Sequence, residues 1–158
     1  MLATETATII ARLHMGGLLA VRDPAMVQVW HEDIGHLDYA IAREAAQWLG
    51  QHRGSESYGH AKPADLLDAV KRVRRDRIEA LLGNRPIPQP PDEISPDDVP
   101  TWVAWQQAWV AAAGNGASLE QAEAHADAVL GVARQPEALR PRPVAALVGQ
   151  VEDGLGRA

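Results

Sequence analysis

Residues 23–49 read Asp-Pro-Ala-Met-Val-Gln-Val-Trp-His-Glu-Asp-Ile-Gly-His-Leu-Asp-Tyr-Ala-Ile-Ala-Arg-Glu-Ala-Ala-Gln-Trp-Leu. The stretch predicts two short helices joined at a tight corner. Asp23 before Pro24 is a helix start, because the carboxylate accepts otherwise unpaired amide protons and proline at the first helical position has no amide to leave unpaired. Met26, Val29, Trp30 and Ile34 follow at helical spacing. Gly35 ends that helix and Asp38 caps the next, whose apolar face is Tyr39, Ile41, Ala42, Ala45, Trp48 and Leu49. Trp30 and Trp48, the bulkiest side chains in this half, are the expected packing centre.

Upstream, Ile9, Ile10 and Leu13 outline a first helix, with Thr4 or Thr6 as its expected cap and Gly16-Gly17 loosening its end. Downstream, residues 50–59 form a polar loop rich in glycine and serine, which is expected to be mobile. Pro63 opens a fourth helix with an apolar stripe of Leu66, Leu67, Val70, Val73, Ile78, Leu81 and Leu82, closed by Gly83. No strand-like alternation and no internal repeat occurs, so the fold class expected is all-α.

Composition changes abruptly between Asn84 and Pro100, where six of the eleven prolines sit with Asp92, Glu93, Asp97 and Asp98. Such a segment is expected to be an extended, disordered linker. The domain division expected is therefore a four-helix N-terminal domain (1–83), a flexible linker (84–100) and a smaller helical C-terminal region (101–158). In that last region Trp102, Trp105 and Trp109 share one helical stripe ending at Gly114-Asn115-Gly116. Ser118 and Gln121 make a capping box for a further helix through Ala122, Ala126, Val129, Leu130 and Ala133, and residues 144–151 are a marginal helix.

The formal charge of −6 over 158 residues argues against a general phosphate-backbone binder. Cysteine is absent, which excludes disulfides, thiolate metal sites and cysteine nucleophiles. No apolar run reaches the roughly 20 residues of a membrane span, and the N-terminus lacks a signal-peptide pattern, so the expectation is a cytoplasmic protein without membrane contact. His31, Glu32 and His36 look like a zinc-protease helix, but the histidines are five apart, not four, and Gly35 intervenes, so no metal site is expected. Nor does any serine stand beside a base, or any carboxylate pair, to suggest catalysis; no enzyme activity and no cofactor are expected.

Two features invite a binding function. Lys71, Arg72, Arg74, Arg75 and Arg77 crowd one helix together with Asp65, Asp68, Asp76 and Glu79; the run reads either as a solvated, salt-bridged face or as a contact with DNA or an acidic partner. Trp102, Trp105 and Trp109 read either as a private core or as a partner-binding face, since tryptophan is enriched at binding hot spots; the expectation adopted is the partner-binding face.

The N-terminal part resembles the phage replicative-helicase loader and inhibitor family. The resemblance covers roughly residues 4–82. It rests on the Thr-Glu-Thr-Ala start with Ile9, Ile10 and Leu13, on Val29-Trp30-His31, on Leu37-Asp38-Tyr39, and on Pro63-Ala64-Asp65-Leu66 followed by the basic run from Val70 to Ile78. It implies an N-terminal helical domain and a mobile C-terminal part that engages a hexameric DnaB-type replicative helicase in a bacterial host cell. An origin-binding protein or DNA would be a further, weaker partner. The expected function is a non-enzymatic adaptor regulating helicase loading in phage or prophage DNA replication. The absence of a G-x-x-x-x-G-K-S/T loop fits an adaptor without its own ATPase. Alternatives are a virion assembly chaperone or structural protein, and a small DNA-binding regulator.

Overall fold

The computed structural model describes residues 1–20, 23–53 and 60–132, and these form six α-helices without a strand. The chain is all-α, as its periodicity predicts. In order the helices are α1 (Ala3–Met15), α2 (Pro24–Ile34), α3 (Tyr39–His52), α4 (Pro63–Leu82), α5 (Val99–Gly114) and α6 (Leu119–Leu130).

The start signals act as the sequence implies. The Asp23 carboxylate accepts from the amide of Ala25 at 2.8 Å, and that of Asp38 accepts from Ala40 and Ile41 at 2.8 and 3.3 Å. At α6, Ser118 Oγ accepts from the Gln121 amide and Gln121 Oε1 from the Ser118 amide, the reciprocal pairing of a capping box. Helix α1 differs from expectation: it starts one residue before Thr4, with Leu2 at the cap position and Glu5 Oε2 accepting the Leu2 amide at 2.6 Å. Thr6 instead lies wholly buried, its hydroxyl 2.9 Å from His31 Nδ1. Gly35 ends α2 under that same histidine: a Cβ there would come within 2.8 Å of the His31 ring and closer still to its carbonyl.

Two cores result, and α4 is the wall they share. Ile9, Ile10 and Leu13 of α1, Trp30 and Ile34 of α2, Ile41, Ala42, Ala45 and Leu49 of α3, and Leu66, Ala69, Val70 and Val73 of α4 make the first. Val29, assigned to the inner face of α2, is exposed, and Val27 packs inward instead. Trp48 sits at the rim of this core, stacked on His52 with ring centroids 4.2 Å apart. The second core consists of Ile94, Trp105, Trp109, Ala113, Ala122 and Ala126, and the far end of α4 closes it with Ile78, Leu81 and Leu82.

This corrects the expected division in two places. The apolar stripe of α4 does not belong to the first four helices alone, because a 20-residue helix is about 30 Å long and outreaches them. The proline-rich segment is not a free linker either. Pro90, Pro91 and Ile94 are buried, so the segment is a strap laid over the second core, anchored by the isoleucine. Its order has a simple origin: prolines have little backbone freedom to lose, and one large apolar side chain then suffices to fix the path.

The polar loop begins later than expected, since α3 continues through Gly50 to His52. The remainder of that loop from Gly54 to Gly59, the expected end of the last helix at Ala133 and the marginal helix at residues 144–151 lie outside the described residues.

Candidate partner-binding surface

Helix α5 carries no charged side chain, and none occurs from Val99 through Leu119. A helix uncharged on every side must bury one face and expose another that water solvates poorly. Trp105 and Trp109 form the buried face, each with 0% exposure, and Trp102 packs beside them half-buried. The expectation that Trp102, Trp105 and Trp109 present a free binding face is corrected accordingly: the two inner indoles fill the second core against Ala113, Ala122 and Ala126. Trp105 Nε1 donates to Asp127 Oδ1 at 2.8 Å, a buried hydrogen bond across α5 and α6. Trp109 Nε1 is equally buried and has no acceptor among the described residues.

The outward stripe of α5 is Val99, Val103 and Val110, spaced four and seven residues apart, and Ile87 of the strap lies next to it. These four residues are half of the exposed large apolar side chains among the described residues, with exposures from 36% to 59%. Ile87, Val103 and Val110 also border a groove of about 420 Å³ between α4 and α5, lined in addition by Arg74 and Ile78 of α4 and by Gln106, Gln107 and Ala111 of α5. Sequence reasoning missed this face. The signal that marks it is the uncharged run combined with valines at 99, 103 and 110, on a helix whose tryptophans occupy a different stripe.

The basic run is mostly neutralised. Lys71 pairs with Asp68 at 2.8 Å, Arg72 with Asp76 at 3.0 Å, Arg75 with Glu79 at 3.8 Å, and Arg77 with Glu44 of α3. Most of these are exposed pairs within one helix, worth a few tenths of a kcal/mol to about 1 kcal/mol each. The geometry is that of the solvated, salt-bridged face. Two members also dock α5. Arg77 Nη1 donates to the Gly114 carbonyl at 3.3 Å, where the helix C-terminus favours a cation. Arg74 Nε donates to Asn115 Oδ1 at 3.2 Å, and its stem lies against Gly114, where a Cβ would meet Arg74 Cβ and Cγ at 3.1 and 3.2 Å. Gly114 thus makes room for Arg74, which alone in the run has no carboxylate within 4.0 Å among the described residues.

A second, polar groove of about 680 Å³ runs between α3 and α4 past Arg43, Glu44, Trp48, Asp76 and Arg77. Its charges balance, so it selects no ligand by sign. Outside this groove, Asp65 at the start of α4 accepts from the Lys62 amide at 2.8 Å and from Arg53 Nη1 at 2.7 Å. Burial alone would raise the Asp65 pKa, but the amide hydrogen bond and the Arg53 guanidinium outweigh it and hold the carboxyl below its ordinary range.

Among the described residues no three His, Asp or Glu side chains gather into a metal-binding group, and no helix is long and apolar enough to cross a membrane. No family model, curated protein or solved structure matches the chain.

Proposed function

We propose that the chain is a non-enzymatic helical adaptor that binds a protein partner through the outward face of α5, and that the partner is a hexameric DnaB-type replicative helicase in the cytoplasm of a phage-infected or prophage-bearing bacterium. The observation that carries the adaptor reading is the exposed stripe of Val99, Val103 and Val110 on a helix without charged side chains, with Ile87 of the strap beside Val103 and Val110. Contiguous exposed apolar side chains are costly in a soluble protein and mark interaction sites. The helicase reading is supported by the resemblance over residues 4–82.

An adaptor of this kind works by differential binding. If it prefers one conformational state of the helicase, it shifts the population toward that state by its difference in affinity, and it needs no nucleotide site of its own. Replacing both Val103 and Val110 with Asp tests the reading, because both side chains are exposed and their loss leaves the second core whole. The expected result is that co-purification with the phage host's replicative helicase disappears while circular dichroism and tryptophan fluorescence stay unchanged. Undiminished co-purification of the doubly substituted protein overturns the assignment of this face.

A further inference from the structure

We propose that the groove between α4 and α5 recognises an amphipathic helix of a partner protein that carries acidic residues along one flank, with a carboxylate seated on Arg74. The proposal rests on the adaptor reading above and goes further, to the chemistry of what is bound.

The two walls of the groove are electrically unlike. The α5 wall is uncharged throughout, with Val103, Gln106, Gln107, Val110 and Ala111 lining the groove. The α4 wall holds Ile78 and Arg74, with Lys71 and Arg75 on neighbouring turns. Lys71 and Arg75 have their own carboxylates on α4, but Arg74 does not. Its guanidinium is nevertheless positioned: the stem lies in the space left by Gly114, and Asn115 takes the Nε proton. The terminal nitrogens make no hydrogen bond to described residues that would occupy them. A planar donor fork held next to an apolar surface is the arrangement that pairs with a carboxylate in a partly desolvated setting.

The occupant's other face follows from the remaining lining. Ile78, Ile87, Val103 and Val110 offer aliphatic surface, suited to large apolar side chains at i, i+3 or i+4, and i+7 of a helix, and Gln106 and Gln107 add uncharged polar groups beside it. The 16-residue length of α5, about 24 Å, matches a partner helix of four to five turns. A basic flank on that partner would bring like charges together along the α4 wall, so the acid requirement gives direction as well as affinity.

The experiment is a selection from a displayed library of amphipathic helices, about 16 residues long to match α5, with apolar and flanking positions randomised, against the full chain. Expected are binders with Asp or Glu on one flank. Changing that acid to its amide, or Arg74→Gln in the protein, should each weaken binding roughly tenfold or more, as for a charge-assisted pair. Combining the two should cost little beyond either alone. Because Arg74 also contacts Asn115, Arg74→Gln is accompanied by amide spectra to verify the fold. Val103→Asp, at an exposed position that is not part of the second core, should abolish binding independently. Selected helices without an acidic preference, affinities unmoved by Arg74→Gln and Val103→Asp, failure to select any helix, or sedimentation showing that a second copy of the chain covers the face would each overturn the proposal. No helicase enters this assay. Acidic helices that bind while the helicase fails to co-purify remove the helicase assignment and leave the groove; the reverse pattern leaves the adaptor reading and removes the groove.

Discussion

The two cores formed by the described residues are built on opposite plans. The first interlocks mostly aliphatic side chains from four helices around a single buried indole, Trp30, with Ile9, Ile10, Leu13, Ile34, Ile41, Leu66 and Val70 each almost wholly buried. Burial is shared among them, so removal of any one leaves most of the contacts in place. The second sets two indoles against small residues, and among the described residues its only other buried large side chain is Ile94 of the strap. Large aromatic area concentrated in two residues, with alanine as the complementary surface, gives a core with few independent supports. Robustness depends on how many side chains share the burial, and not only on how much is buried.

The largest expected effect therefore lies in the second core. Trp105→Ala should destabilise α5 and α6 by about 3–5 kcal/mol. Since a small core has little stability to spare, local unfolding of that half is the expected outcome. Hydrogen exchange should show loss of amide protection across α5, α6 and the end of α4 from Ile78, while α1, α2, α3 and the first half of α4 keep theirs. Uniform loss along the whole chain would mean that α4 couples the two cores into one cooperative unit, and the contrast drawn above would fail.

A smaller effect separates the two indoles themselves. Trp105→Phe removes the donor to the buried Asp127 carboxylate, whereas Trp109→Phe removes an N–H that has no acceptor among the described residues. Loss of a hydrogen bond to a buried charged group costs about 1.5–3 kcal/mol, while loss of an unsatisfied donor offsets part of the reduced ring volume. Denaturant midpoints should accordingly fall clearly further for Trp105→Phe than for Trp109→Phe. Equal shifts would show that ring volume, and not the hydrogen bond, decides the stability of this core.

The contrast between the cores was only half legible in the sequence. Caps and stops such as Asp23-Pro24, Asp38 and Ser118-Gln121 are local, and local chemistry is what a sequence states openly. Helical spacing places Trp102, Trp105 and Trp109 on one face, but whether that face is covered depends on Ile78, Leu81 and Leu82, which the same spacing assigns equally well to the first core. Nothing within α4 says that its two halves serve different neighbours; the length of the helix relative to the first bundle decides it. The strap misleads for a related reason. Prolines and acids around Ile94 read as solvated chain, and a single isoleucine is too weak a pattern to signal burial. The basic run was legible as chemistry but not as roles, since Arg74 and Arg77 reach α5 or α3 while their neighbours pair along α4.

The smallest expected effect concerns the first half alone and sharpens the comparison by pH. Asp65 joins the start of α4 to the end of α3 through Arg53, and its carboxyl is held below the ordinary aspartate range by the Lys62 amide and the guanidinium acting against burial. A carboxyl whose pKa is lower folded than unfolded adds stability that is fully present above the unfolded value. That stability is lost as pH falls through the folded value. The side chains of Arg53 and Asp65 retain 19% and 36% of their exposure, so solvent screens the pair and the contribution is below about 1 kcal/mol. Asp65→Asn keeps an acceptor for the Lys62 amide but removes the charge. The variant should be slightly less stable than the parent at neutral pH, and the difference should close on acidification below the ordinary aspartate range. It should also appear in the protection of α3 and α4 and leave α5 and α6 unmoved. A difference that persists unchanged into acid would assign the effect of Asp65 to hydrogen-bond geometry and not to its charge. One that reaches α5 and α6 would instead show that α4 transmits stability from one core to the other.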